Sequence, residues 1–518
     1  MKSEVSSQKS VVRKQRCEPP VVDCRLWIVD RGLPRLVIYA VVLALLVTHL
    51  TTAFAQPDRS APPKLGPPPA LKLPPIQHLK LSNGIPVVLL EKHAVPVVQI
   101  NLVVRGGAVM DPPDRHGVAS MTAAMLMEGA GPRNALQLAD AIDYLGARIG
   151  TGAGQHTSGI NLHTPLAKLD SALTLLSDVA RRPSFPLPEL DRKRKERLTA
   201  LTQWRDEPRA LASVLFSRTL YGSSHPYGVP TMGNEASLRS MTPGDLKKFH
   251  SDYFVPSNVT VIVVGDVSGT MIMPKLEKAF GSWKGKAAAP PSIPSVGQIK
   301  EKTLLLVDKP GAAQSVIMIG RVGVKRITDD YFPIVVMNTI LGGSFTSRLN
   351  QNLREQHGYS YGAGSRFEFR PLPGPFVASA SVQTAVTDKA LVEFMNELKG
   401  MLEEVPDTDL DRAKNYVALG FPGDFQSVGQ IAGQLEELVV YNLPDDYFNK
   451  YIGRVLAVTK EDVLKAAKKY ITPDNLAFII VGDRSEVETG VTALELAPPT
   501  FLTVDEVLGP APAVEGGQ

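Results

Sequence analysis

The chain has 518 residues, 44% of them hydrophobic and 21% charged, with 56 Lys and Arg against 52 Asp and Glu. That length exceeds one ordinary core, so roughly two to four folded units are expected, and the composition excludes a disordered or collagen-like chain. The basic excess gives no reason to invoke nucleic acid: residues 1–55 hold eight Lys/Arg and four Asp/Glu, which leaves 48 of each in the remainder.

The N-terminus reads as a targeting segment. "LVIYAVVLALLV", Leu36 to Val47, follows Arg31 and Arg35. "TTAFAQ" comes next, with Ala53 and Ala55 at the small positions of an A-x-A cleavage site. Residues 1–55 are therefore expected to be a signal peptide, and the mature chain to be secreted across the inner membrane, into the periplasm. An N-terminal anchor facing the periplasm is the alternative, because Leu36 to Ala55 is close to the ~20 apolar residues that span a bilayer. The long polar lead leaves open a true start further downstream. Cys17 and Cys24 both fall in this leader. The mature chain then has no disulfide, thiolate nucleophile or Cys-based metal site. Residues 56–76, "QPDRSAPPKLGPPPALKLPPI", read as a Pro-rich extended linker.

A first folded domain is expected over 77–283. "VPVVQINLVVRGGA", Val95 to Ala108, has the β-branched content of a strand. "HGVASMTAAMLMEGA", His116 to Ala130, reads as a helix leaving a turn. Its Ser120, Ala123, Ala124 and Met127 fall at i, i+3, i+4 and i+7, one stripe that is mostly short-chained beside bulkier Met121 and Met125. Either something packs closely on that stripe, or longer side chains with a chemical task belong there. "MTPGDLKKFHSDYFVPSNVTVIVVGDVS", Met241 to Ser268, gives a helix with Thr242 as N-cap, a Pro-x-Asn turn and an apolar strand.

"KGKAAAPPSIPSVG", 284–297, reads as a linker to a second domain over 298–490. "KTLLLVDKPGAAQSVIMIGRVG" again opens with strands. "VTKEDVLKAAKKYITPDNLAFIIVGDRS", Val458 to Ser485, repeats the earlier helix, turn and strand: Tyr253 matches Tyr470, Pro256 matches Pro473, Asn258 matches Asn475, and Gly265-Asp266 matches Gly482-Asp483. One offset serves every pair. "PELDRKRKERL" and "DTDLDRAKNYVAL" also share Leu-Asp-Arg. The chain is thus read as an α+β protein of two duplicated halves, each a mostly antiparallel sheet covered by helices. Residues 491–518 read as a flexible tail.

On these residues the chain resembles the M16 zinc metallopeptidases (pitrilysin, insulinase, mitochondrial processing peptidase), in their M16B-like form. The resemblance spans about residues 77–490 and is most specific at "GGSFTSRLNQNLREQHGYSYG", Gly342 to Gly362. It implies that the halves form half of a clam-shaped chamber for short or unfolded peptides. Active members carry H-x-x-E-H on a helix, so that two His hold Zn²⁺ and the Glu is the general base, and a later helix adds a third, Glu ligand. Aligned on Gly117, those positions here are Ser120, Ala123 and Ala124. "LTALTQWR", Leu198 to Arg205, where the third ligand would stand, has no acidic residue. The nine His, at 49, 78, 93, 116, 156, 163, 225, 250 and 357, include no pair four apart. No zinc or other cofactor is therefore expected in this chain.

In the same family an Arg/Tyr element of the C-terminal half holds the substrate carbonyl or oxyanion across the chamber. The resemblance assigns it to Arg354 and Tyr361, with Tyr359 as the competitor. The structural alternative pairs Arg354 with Glu355 or Glu368 and leaves the tyrosines to pack. "LGGSFTSRL" reads either as a loop admitting a peptide backbone or as a helix–helix turn capped by Ser344 or Thr346. The resemblance then implies a zinc-free, non-catalytic subunit of a heterodimeric metalloendopeptidase. Its expected partner is an M16 subunit with H-x-x-E-H and zinc, to which Arg354 and Tyr361 act in trans. No nucleic-acid partner is expected, and no membrane contact after signal removal. A structural or peptide-holding protein of the same fold is the alternative.

Overall fold

The computed structural model describes Ala40 and residues 66–512, so the signal-peptide reading and most of the Pro-rich linker lie outside the described residues. The chain divides into Met1–Pro67 and Pro68–Gln518, and every element named below belongs to the second unit. No helix among the described residues is long and apolar enough to cross a membrane.

Two six-stranded sheets organise that unit. The first uses β1 (Gln77–Lys80), β2 (Pro86–Glu91), β3 (Val97–Val104), β4 (Arg148–Ala153), β5 (Ser158–Pro165) and β6 (Val259–Gly265), in the order β1-β2-β6-β3-β5-β4. The second uses β7 (Thr303–Asp308), β8 (Gln314–Val322), β9 (Ser360–Phe367), β10 (Pro375–Gln383), β11 (Ala477–Gly482) and β12 (Pro499–Leu502), in the order β9-β10-β8-β11-β7-β12. Five strands of each sheet follow one permutation, so the repeated sequence is a repeated topology. Pairing is antiparallel except between β2 and β6, β7 and β11, and β7 and β12.

Helices repeat in the same order: α1 (Val118–Met125), α2 (Leu187–Trp204), α3 (Pro208–Tyr221) and α4 (Pro243–Tyr253), then α5 (Tyr331–Leu341), α6 (Asp407–Gly420), α7 (Val428–Tyr441) and α8 (Lys460–Tyr470). Thr242 and Thr459 cap α4 and α8 through matching capping boxes with Asp245 and Asp462. α1 ends at Met125, so Met127 of the small-residue stripe lies just past it.

The halves exchange helices. α3 of the first half lays Leu211, Leu215 and Phe216 on Val316, Met318, Val377 and Ile479 of the second sheet. α7 of the second half lays Ile431, Leu435 and Leu438 on Val103, Ile262 and Val264 of the first. Phe216 approaches β8 so closely that a Cβ at Gly320 would stand 2.8 Å from its ring. Neither sheet therefore has a complete core of its own.

Two expectations about loose segments need correction. Residues 499–508 are not a flexible tail. Pro499–Leu502 is the edge strand β12, and Val504–Leu508 is a short helix whose Val507 is buried against α3. Arg218 donates to the carbonyls of Val507 at 3.0 Å and Glu506 at 3.2 Å, and Arg205 to that of Gly509 at 2.7 Å. The end of the Pro-rich linker is likewise not a bare tether, since Leu71, Leu73 and Ile76 pack on the core of the second half.

Candidate functional site

The helix α1 starts at Gly117, whose φ of 90° turns the chain sharply into it. No cap side chain lies at Gly117 itself. Asp111 reaches in from the preceding loop and accepts the amides of Gly117 at 2.6 Å and Ala119 at 2.9 Å. Burial pushes the Asp111 carboxyl up to about 7, against the pull of those amides and of Arg197.

Of the three positions aligned with H-x-x-E-H, Ala123, at the place of the general base, is fully buried, and Ser120 and Ala124, at the places of the two His, are half-buried. Ser120 is not left to solvent. Arg197 of α2 donates to its Oγ at 2.8 Å, and the same Nη1 lies 3.5 Å from the Gly117 carbonyl and 3.4 Å from that of Met232. Burial lowers the Arg197 guanidinium to about 10, with Asp111 opposing the shift, so it stays charged at neutral pH.

These residues do not fit a zinc ion. Ala has no ligand atom, a serine hydroxyl is a poor ligand, and a guanidinium offers only N–H. Among the described residues, no group of three or more His, Cys, Asp or Glu is placed to hold a metal. The sequence reading missed Arg197. It sits in a basic run, "DRKRKER", that looks like a solvated helix face. Arg192 is half-exposed and bonded to Glu189 and Glu196 on its own helix, whereas Arg194 donates to the carbonyls of Leu238 and Met241 and Arg197 turns in toward Ser120. The available signal was its place one residue before the segment expected to carry the third ligand.

The second half presents its chemistry differently. α5 ends at Gly342-Gly343, where a Cβ would meet the Ser365 amide at 2.2 Å and the Asn338 amide group at 2.8 Å. The glycines thus let the loop press against β9. Neither Ser344 nor Thr346 caps the next helix. Ser344 bonds back to the Thr339 carbonyl, and Ser347 stands at the N-cap position without a side-chain cap bond. The chain continues as a π-helical turn, Gln351–Gln356, that carries Arg354.

The Arg354 guanidinium lies 4.5 Å from the centre of the Phe345 ring. Its Nη1 is 3.2 Å from Glu355 Oε1, yet it is buried and makes no geometrically acceptable hydrogen bond among the described residues. Glu368 is taken instead by Arg366 and Arg370. The two tyrosines part company. Tyr359 packs on the core and stacks on His357 at 4.9 Å, whereas Tyr361, on the edge strand β9, is 92% exposed. Phe345 is 63% exposed.

Buried Asn350 ties these segments together, which the sequence did not signal. Its amide donates to the Phe345 carbonyl at 2.7 Å, and its Oδ1 accepts the Ala363 amide at 3.2 Å. No hydrogen bond, ion pair or ring contact among the described residues joins Arg354 to Tyr361, or either of them to Ser120, Ala123 or Ala124.

The family model described as Insulinase (Peptidase family M16) matches residues 86–233, and that described as Peptidase M16 inactive domain matches 240–417. A non-peptidase homolog, YmxG of Helicobacter pylori, is 23% identical over 421 residues, 79% of this chain and 95% of its own. An uncharacterized zinc protease, YmxG of Bacillus subtilis, is 26% identical over 286 residues, 55% of this chain and 68% of its own. A crystal structure of a peptidase M16 inactive domain from Pseudomonas fluorescens superposes with a TM-score of 0.74 at 27% identity, over 79% of this chain and 98% of that one. With both halves matched, one fold repeated and no H-x-x-E-H in the sequence, the chain belongs to the M16 peptidase family as a member without the zinc-binding motif.

Proposed function

We propose that this chain is the zinc-free subunit of a secreted, periplasmic heterodimeric M16 metalloendopeptidase. It lends Arg354, Tyr361 and half of a peptide chamber to a zinc-bearing partner. The observation that carries the proposal is the Arg354 guanidinium, seated on exposed Phe345, whose Nη1 is ion-paired with Glu355 at 3.2 Å but makes no well-formed hydrogen bond among the described residues. A guanidinium held this loosely can turn its N–H groups to an incoming carbonyl or oxyanion. Tyr361 lies open beside it in sequence, and its exposure favours it over Tyr359 as the second donor.

The zinc in such a complex belongs to the partner and supplies the activated water. This chain's residues would bind the peptide carbonyl and orient it. The test mixes the chain with an M16 subunit bearing H-x-x-E-H, counts zinc in each, and follows cleavage of quenched peptides. Activity only in the mixture is expected. Arg354→Ala should lower kcat about 100-fold or more, since a fixed donor is worth roughly 3 kcal/mol in the transition state, with zinc content unchanged. Tyr359→Phe should leave the rate as it is. An unaltered kcat and KM in the Arg354 variant would overturn the donor role.

A peptide-holding protein without proteolysis is the second reading. A cavity of about 620 Å³ beside α2, lined by His116, Leu201, Trp204, Val214 and Leu508, favours it. Peptide binding by this chain alone, with no effect on any zinc-bearing partner, would select that reading.

A further inference from the structure

We propose that the Arg197 guanidinium is a built-in replacement for the zinc ion of the family, and that it keeps zinc out even when metal-ligating side chains are restored on α1. The proposal rests on the assignment of Ser120 and Ala124 to the two His ligand positions of the motif and of Ala123 to its Glu.

The geometry joins the same elements that a metal would join. Arg197 rises from α2, the helix on which the third ligand is expected, and its Nη1 reaches Ser120 Oγ, at the first ligand position of α1. The other atoms around that nitrogen are acceptors too: the carbonyl of Gly117 at the start of α1 and that of Met232 in the loop before Asn234. A metal site and a guanidinium site are both oxygen- or nitrogen-lined, but only the second is satisfied by a serine and two carbonyls.

Side-chain size follows the same logic: the short Ser120 leaves room for the arginine that bonds to it. Among the described residues Arg197 has no ion pair within 4.0 Å, unlike Arg192, which is bound by Glu128, Glu189 and Glu196. Asp111, which also holds the first amides of α1, and Glu196 act on the Arg197 charge at longer range. One cation thus fixes α1, α2 and the 230–233 loop. A dication placed a few Å from it would be repelled in a medium far less screening than water. A histidine at 120 would have to displace the guanidinium before it could bind metal.

The experiment uses the full chain and zinc alone. One variant carries Ser120→His, Ala123→Glu and Ala124→His. A second adds Arg197→Ala, so the ligand sets are identical and only the guanidinium differs. Zinc is measured by equilibrium dialysis with elemental analysis, and its effect on the melting temperature is recorded. The expected result is at least 10-fold tighter zinc binding in the second variant, with a zinc-dependent rise in Tm that the first lacks. If the alanine variant does not fold, Arg197→Gln fills part of the space without the charge and takes its place. Equal zinc affinity in both variants would overturn the proposal. So would the absence of zinc from both, because removing the guanidinium would then have freed no site. Neither readout needs a partner or peptidase activity, so failure here leaves the subunit proposal standing, and failure of that proposal leaves this one.

Discussion

The two halves share one strand permutation and one order of helices, yet they treat the positions where chemistry is expected in opposite ways. In the first half, α1 has lost its ligand atoms, and the gap is closed from inside by Arg197, Asp111 and two carbonyls. In the second half, Phe345 and Tyr361 remain on the surface, and a buried asparagine holds the loop and strand that carry them. A site without chemistry is free to be filled by packing, because nothing has to enter it. Groups that act on an external molecule must stay open, and an exposed aromatic beside a guanidinium, as Phe345 is beside Arg354, suits such a surface. The contrast also explains why the first half matches a peptidase description while lacking the peptidase motif. Its fold is intact, and what it lacks is a few side chains, the motif residues on α1 and an acidic residue within 198–205.

The first way to break the comparison is to ask whether the halves are separable at all. Leu215 on α3 and Leu435 on α7 occupy equivalent places on the opposite half's sheet. Truncating either to alanine should cost about 2–5 kcal/mol, the range for a buried leucine that leaves a cavity. Because the helices are exchanged, each variant should lower a single, shared thermal transition. Two transitions by calorimetry, with only one shifted, would show that the halves unfold independently and that the exchange is incidental.

A smaller effect sharpens the second half of the contrast. Asn350→Ala removes its bonds to the Phe345 carbonyl and from the Ala363 amide and leaves two polar groups unpaired, at roughly 1–3 kcal/mol, while the backbone bond from Ser365 to the Gly342 carbonyl remains. Hydrogen exchange should quicken at the Ala363 amide and through 342–347, while the amides of α1 keep their protection. If exchange at 342–347 is unaltered, Asn350 is not what holds the exposed groups in place.

How far these features can be read from the chain itself differs by element. The duplication is legible because Thr, Tyr, Pro, Asn and Gly-Asp each answer a local demand of a cap, a turn or a strand end, and those demands recur at one offset. The loss of the zinc motif is legible because ligation needs particular atoms at i and i+4. The helix exchange is not, since an apolar face on α3 or α7 says that a sheet is covered but not whose sheet. The strand β12 escaped because four residues between prolines and a glycine carry little periodicity, and its partner β7 lies far back in the chain. Arg197 escaped because an arginine among lysines and glutamates looks solvated until the opposing helix is in view. The choice between Tyr359 and Tyr361 stayed open in the sequence, because the alignment around Gly358 can slide by two; in the fold Tyr359 precedes β9 and packs on the core, whereas Tyr361 lies on β9 within its irregular pairing between Ser360 and Ala363.

The junction between the halves offers the mildest test, and it is a matter of pH. His156, from the hairpin between β4 and β5, shares a hydrogen bond between its Nε2 and the Tyr227 hydroxyl, and Arg370 of the second half lies 4.5 Å from the centre of the Tyr227 ring. Burial first, then Arg370 and His225, push the His156 imidazole down to about 4 from an ordinary value near 6.5. Between those two values the unfolded chain binds more protons than the folded one. Stability from this group is therefore full above about pH 6.5 and declines as the pH falls toward 4, by about 1–2 kcal/mol once its partial exposure is allowed for. His116, His225 and His250 are depressed in the same direction, and Asp111, raised to about 7, opposes them, so the wild-type slope is the sum of all of these. The difference between wild type and His156→Gln isolates the one at the junction, because glutamine keeps a hydrogen-bond partner for Tyr227 but does not titrate. Urea melts at pH 5 and pH 7.5 should show the gap between the two pH values narrowing in the variant. If Arg370 contributes across the junction, Arg370→Met should narrow it as well, from the other half of the molecule. An unchanged gap in both variants would mean that protonation at the junction is not linked to folding.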